Sequence, residues 1–150
     1  MLQQDLGDAH SRLRQAVSTL DDPEAPMPGY PDWSKKDLIA HLTSIETRIR
    51  EQVQCAIDDV PWTPEDVDAF NARQVNARRG WTVDQLQREL DAESAATERL
   101  LASLDDQALA RPFDHPRRGR ITVADLLAII PTHIGNHLAD LEQADGPVSR

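Results

Sequence analysis

The chain has 150 residues, 39% of them hydrophobic, and a formal net charge of -10 at neutral pH. This length can bury a core without disulfide or metal staples, and the acidic balance opposes binding to nucleic-acid phosphates or to an anionic lipid surface. A lone cysteine, Cys55, cannot form an internal disulfide, Met1–Asp5 shows no basic start to a signal peptide, and no stretch nears the ~18 apolar residues of a membrane span. The expectation is a cytoplasmic protein with no membrane partner and no nucleic-acid partner.

Apolar residues recur at helical spacing, and strand-like alternation is missing. Leu2, Leu6, Ala9, Leu13, Val17 and Leu20 step by three or four, which predicts a first helix over residues 2–20. Pro23, Pro26, Pro28 and Pro31 then interrupt the chain, since proline removes a donor and restricts its predecessor. Ser34 is placed to cap a second helix over 35–57 carrying Leu38, His41, Leu42, Ile45, Ile49 and Ile57. Thr63 and Pro64 look like the cap and first position of a shorter helix ending at Arg78-Arg79-Gly80, with Gly80 free to turn left-handed.

Thr82 and Gln85 form a capping-box pattern before a helix with Val83, Leu86, Leu90, Leu100, Leu101 and Leu104. Thr122 caps a last helix carrying Val123, Leu126, Leu127, Ile130, Ile134, Leu138 and Leu141. The fold class is therefore all-α: a four-helix bundle, one domain over 1–150, with a long crossover holding a short extra helix between core helices 2 and 3. Pro131 falls inside the last helix, where a regular interior position costs ~3 kcal/mol unless a kink relieves it.

Three histidines stand out because each falls on an apolar stripe, where an unsatisfied imidazole is costly. His133 and His137 are four residues apart, hence ~40° around the axis and one turn along it. That pair alone fits two independent interfacial or core histidines better than a metal site. His41 lies on the stripe of Leu38 and Ile45, so a second helix can bring a third imidazole to the same interior. Three neutral imidazoles suit Zn²⁺ or Ni²⁺ and leave coordination positions open to water or substrate.

The order of Trp33-Ser34, Asp37 to Leu42, Val67 to Asn71, the helix from Thr82, Thr122 to Leu127 and the His133/His137 pair resembles the DinB/YfiT-like superfamily. The branch it most resembles is the amino-terminal domain of mycothiol-dependent maleylpyruvate isomerases. The resemblance implies a four-helix bundle, often dimeric, with a divalent metal held by His41, His133 and His137. It further implies a low-molecular-weight thiol such as mycothiol as co-substrate of a transferase or isomerase. A non-catalytic metal-binding or structural bundle is the alternative, and a homodimer is expected, with Ile39 and Ile129 off the main stripes as its apolar support.

Other polar residues carry weaker expectations. Glu93 and Thr97 fall within the stripe of the helix from Thr82; Glu93 either orients a ligand imidazole through its second nitrogen or reaches solvent at the stripe's edge. Glu46, five residues after His41, should point away from it. The basic stretch Arg111 to Arg120 either holds the carboxylates of a small anion or pairs with surface acids. His115 reads as a loop residue, His10 as a surface one, Cys55 as a small buried hydrophobe, and Trp33, Trp62 and Trp81 as seals at helix starts first and pocket walls second.

Overall fold

The computed structural model describes residues 1–63 and 65–145. Its elements run α1 (Leu2–Ser18), α2 (Lys35–Asp58), α3 (Val67–Ala77), α4 (Val83–Ser103), α5 (Asp106–Leu109), β1 (Pro112–His115), β2 (Gly119–Thr122) and α6 (Val123–Asp145). The long helices begin where the sequence supplies caps. Ser34 accepts from the Asp37 amide while Asp37 accepts from the Ser34 amide, and Thr82 and Gln85 repeat the exchange. Thr122 and Asp125 do the same at α6.

Around the bundle, α1 packs on α4 and α6, and α2 packs on the same two helices. Thus α1 and α2 stand on one diagonal, α4 and α6 on the other. The short helix α3 sits in the connection between α2 and α4 and packs on α2. The core is aliphatic: Leu6, Leu13, Leu38, Leu42, Leu90, Leu126, Leu127, Ile130 and Ile134 are fully buried. Each such side chain contributes roughly 1.5–3 kcal/mol relative to exposure, which is where the bundle's stability resides. Among the described residues, no helix is long and apolar enough to cross a membrane.

Four local expectations are corrected. The N-cap of α3 is Asp66, which accepts from the Ala69 amide, rather than Thr63; Pro64 lies outside the described residues. Gly80 closes its turn without a left-handed φ. The segment before α6 forms an antiparallel hairpin pairing Pro112 with Thr122 and His115 with Gly119. Its strands are only four residues long and bury one large side chain, Phe113, so alternation has no room to declare itself. Finally, His10 is fully buried in the bundle, not on the surface. Helix α6 continues unbroken through Pro131.

Candidate metal centre

The three predicted histidines converge. His41 projects from α2, and His133 and His137 from successive turns of α6. His133 Nε2 lies 3.0 Å from His41 Nε2 and 3.0 Å from His137 Nε2, and one ligand atom from each residue falls within 4.8 Å of the others. No other trio of His, Cys, Asp or Glu is arranged this way among the described residues. The packing of α2 against α6 closes the triad, and the histidine phase on each helix aims the rings into that seam.

Burial keeps these imidazoles neutral. Desolvation, reinforced by the neighbouring rings, pushes His41 down to about 3 and His133 to about 4. His137 is also lowered, chiefly by burial, with Asp140 acting in the opposite direction. Neutral imidazole is the form that ligates metal.

The donor set fits a cation for a second reason. An imidazole nitrogen carries one in-plane proton or one lone pair, so His133 Nε2 can match only one of its two close neighbours with a well-directed hydrogen bond. Three lone pairs directed at a shared ion leave none unmatched. The outer side of His137 agrees: the Tyr30 hydroxyl donates to the Asp140 carboxylate and lies 2.8 Å from His137 Nδ1. Tyr30 oxygen then accepts the Nδ1 proton, a tautomer that leaves the Nε2 lone pair facing the triad. Burial, then Asp140, raises the Tyr30 hydroxyl to about 12, so it remains a donor. His41 Nδ1 and His133 Nδ1 are buried without a hydrogen-bond partner among the described residues.

Tyr30 reaches the site from the proline-rich loop between α1 and α2. That loop is held by Met27 N–H to Trp33 C=O and Tyr30 N–H to Met27 C=O, and Gly29 adopts φ +85°, a conformation that favours glycine. Trp33 stacks on Tyr30 at 5.8 Å between ring centres and packs against His41 at 5.3 Å. The tryptophan at this helix start is therefore a wall of the site as well as a seal. Neither Tyr30 nor Asp140 was among the predicted site residues. Asp140, one turn after His137, carried a readable signal in its His-x-x-Asp spacing, whereas Tyr30 carried none.

The triad opens into a cavity of about 710 Å³ whose walls include Ile45, Arg48, Gln52, Asn71, Ile129 and the hairpin turn. Arg117 and Arg118 therefore face the cavity, while Arg120 pairs with Asp114 outside it. His115 sits at the end of β1 and lines the cavity too. Glu93 does not reach the triad: it is half-buried and pairs with Arg50 at 2.9 Å between α2 and α4. Glu46 points away from His41, as expected, and accepts from Thr97 and His10 instead. Cys55 is half-buried near the end of α2.

A four-helix bundle with three histidines converging beneath an open cavity defines a class of candidate metal-centred bundle proteins. The chain belongs to the DinB superfamily, whose model matches residues 5–141. Among curated proteins none matches the sequence. Solved structures that share the fold include YfiT from Bacillus subtilis, described as a probable metal-dependent hydrolase with an unusual four-helix bundle topology. That likeness has a TM-score of 0.78 and 20% identity, covering 95% of this chain and 82% of that one.

The mycothiol-dependent maleylpyruvate isomerase aligns with a TM-score of 0.81 and 13% identity over 99% of this chain, which spans 60% of the isomerase chain. A mutant of an isomerase of the same description gives a TM-score of 0.79 and 13% identity, covering 93% of this chain and 59% of that one. At these identities the shared property is the fold.

Proposed function

We propose that this chain is a divalent-metal-dependent enzyme that uses His41, His133 and His137 as its metal ligands and a low-molecular-weight thiol, such as mycothiol, as nucleophile in a transfer or isomerisation reaction. The observation that carries the reading is the convergence of three neutral imidazoles at the floor of an open cavity. A bound Zn²⁺ or Ni²⁺ ion supplies a Lewis acid that favours thiolate or hydroxide over the protonated form. The residues do the rest. Burial holds the imidazoles unprotonated, Tyr30 and Asp140 hold the His137 ring in one tautomer, and Trp33 shields one side of His41 from water.

Support for the thiol comes from the sequence resemblance to the mycothiol-dependent branch, together with the fold likeness to that isomerase. The YfiT likeness makes water the competing nucleophile. Cytoplasmic residence suits thiol chemistry and the absence of disulfides. The homodimer rests on the family resemblance, because Ile39 is buried inside the bundle and Ile129 lines the cavity.

The test pairs metal analysis of purified protein with turnover assays across a panel of thiols and electrophiles, including an ester panel without thiol. The expected result is one metal per chain and thiol-dependent turnover, with His137→Ala losing both and keeping its helical circular dichroism. Thiol-dependent turnover that survives His137→Ala with metal absent overturns the mechanism. Metal without turnover favours the non-catalytic bundle, and ester hydrolysis without thiol favours water.

A further inference from the structure

The same cavity contains a cation that the metal reading does not use. Arg48 lies seven residues beyond His41 on α2, on the face that also carries Ile45 and Gln52, and is 94% buried, its exposure being 6%. Its guanidinium has five donors, yet among the described residues it makes one hydrogen bond, 2.8 Å to the backbone carbonyl of Glu65. The Phe70 and Trp62 rings flank it at 5.0 and 5.6 Å from the guanidinium carbon. These faces hold the fork in place without supplying an anion.

Nearby carboxylates are engaged elsewhere. Glu65 receives two bonds from Arg73, Asp66 caps α3, and Asp68 lies 4.0 Å from Arg117. No carboxylate of the described residues comes within 4.0 Å of Arg48. A buried guanidinium left this way is costly, because without a direct ion pair its desolvation is offset only in part. Burial, with Arg117 adding repulsion, draws its proton affinity down against the more distant acids Glu65, Glu51 and Asp66.

More donors gather around it. The backbone amides of Arg117 and Arg118 both point at His115 Nδ1, at 3.1 and 3.2 Å. Nδ1 is therefore an acceptor and the ring proton sits on Nε2, making the imidazole a donor on its other side. Trp62 Nε1 is buried without a partner among the described residues. Arg48, His115, Arg117 and Arg118 thus bring cations and a ring N–H to a cavity whose lining also includes Glu65, Asp66 and Asp68, in a protein whose net charge is -10.

We propose that Arg48, assisted by Arg118 from the hairpin turn, is a binding subsite for the carboxylate of a small organic acid whose other end lies at the histidine triad. Seven residues of helix rise separate the His41 and Arg48 backbones by about 10 Å along the α2 axis, the scale of a ligand that would reach both side chains. A planar carboxylate matches the guanidinium fork, and the flanking aromatic rings exclude competing water. The inference deepens the metal reading and rests on it only for where the reacting end of the ligand lies.

The probe is glutarate, with its uncharged diamide as control, titrated calorimetrically into protein whose metal content has been measured. Glutarate is expected to bind saturably and the diamide at least tenfold more weakly. Arg48→Met should lose at least tenfold in glutarate affinity at unchanged metal content and circular dichroism, and Arg48→Lys should recover part of it. If Arg48→Met does not fold, Arg118→Gln serves instead, with a smaller loss in the same direction.

Repeating the titration on His133→Ala separates the two readings. Retained glutarate binding in that variant supports the carboxylate subsite whatever the fate of the metal. Equal binding of acid and diamide, glutarate affinity unchanged by the Arg48 or Arg118 substitution, or binding lost only with the metal, overturns it.

Discussion

Replacing His10 tests a feature of the bundle that lies apart from the metal centre. His10 is fully buried on α1, with Nε2 2.8 Å from Glu46 and Nδ1 2.7 Å from Glu98. Burial pulls its pKa down, but the hydrogen bonds and charges of the two carboxylates outweigh that and raise it above the ordinary 6.5. With both nitrogens facing carboxylates, the ring is held as an imidazolium. Glu98 is substantially exposed, so the energetic weight falls on Glu46, which is fully buried and also accepts from Thr97 at 2.6 Å.

His10→Ala would leave the Glu46 carboxylate inside the bundle without its cation, a change that costs about 3–5 kcal/mol in comparable buried pairs. Replacing both partners in His10→Leu/Glu46→Leu removes the stranded charge and should cost much less than the two single changes summed.

The pH dependence has a defined sign. Because the folded pKa lies above 6.5, the stabilisation is fully present below pH 6.5 and fades as pH rises through the raised value. Urea unfolding followed by circular dichroism from pH 5.5 to 9.5 should show this decline in the wild type and not in His10→Ala. A His10→Ala cost below 1 kcal/mol, or the same pH slope in both proteins, would refute the account of a buried ion pair.

Other outcomes follow from the site. Tyr30→Phe removes the hydroxyl between His137 and Asp140 and should weaken Zn²⁺ affinity about 10–100-fold, as loss of an outer partner does at histidine metal sites, measured by competition with a chromophoric chelator. Unchanged affinity would mean that the tautomer of His137 is set by something else. Light scattering should give a mass near twice the 16.8 kDa chain, and a monomer maintained across dilution would end the homodimer proposal.

Much of this protein is legible in its sequence, because helices are local. Apolar spacing over ten or more residues, together with Ser34, Thr82 and Thr122, marked the long helices within a residue or two at most ends, since capping and 3.6-residue periodicity depend only on near neighbours in the chain. The same periodicity put His41, His133 and His137 on interior faces. It also put His10 four residues after Leu6, in phase with Leu13 and Val17, a signal that the polarity of the side chain obscured.

Tertiary structure decided what depends on residues far apart in sequence. Tyr30 meets Asp140 across 110 positions, and His10 meets Glu98 across 88. No periodicity within α1 or the proline-rich loop encodes those partners. The hairpin escaped because two four-residue strands lack a measurable period, and with it went the placement of Arg117 and Arg118 on the cavity wall. Which helices became neighbours decided most: packing α2 against both α4 and α6 put His41 in one seam and Glu46 in another, five residues apart on a single helix. A helix face can be read from its own residues, but its partner is selected by the packing of the whole bundle.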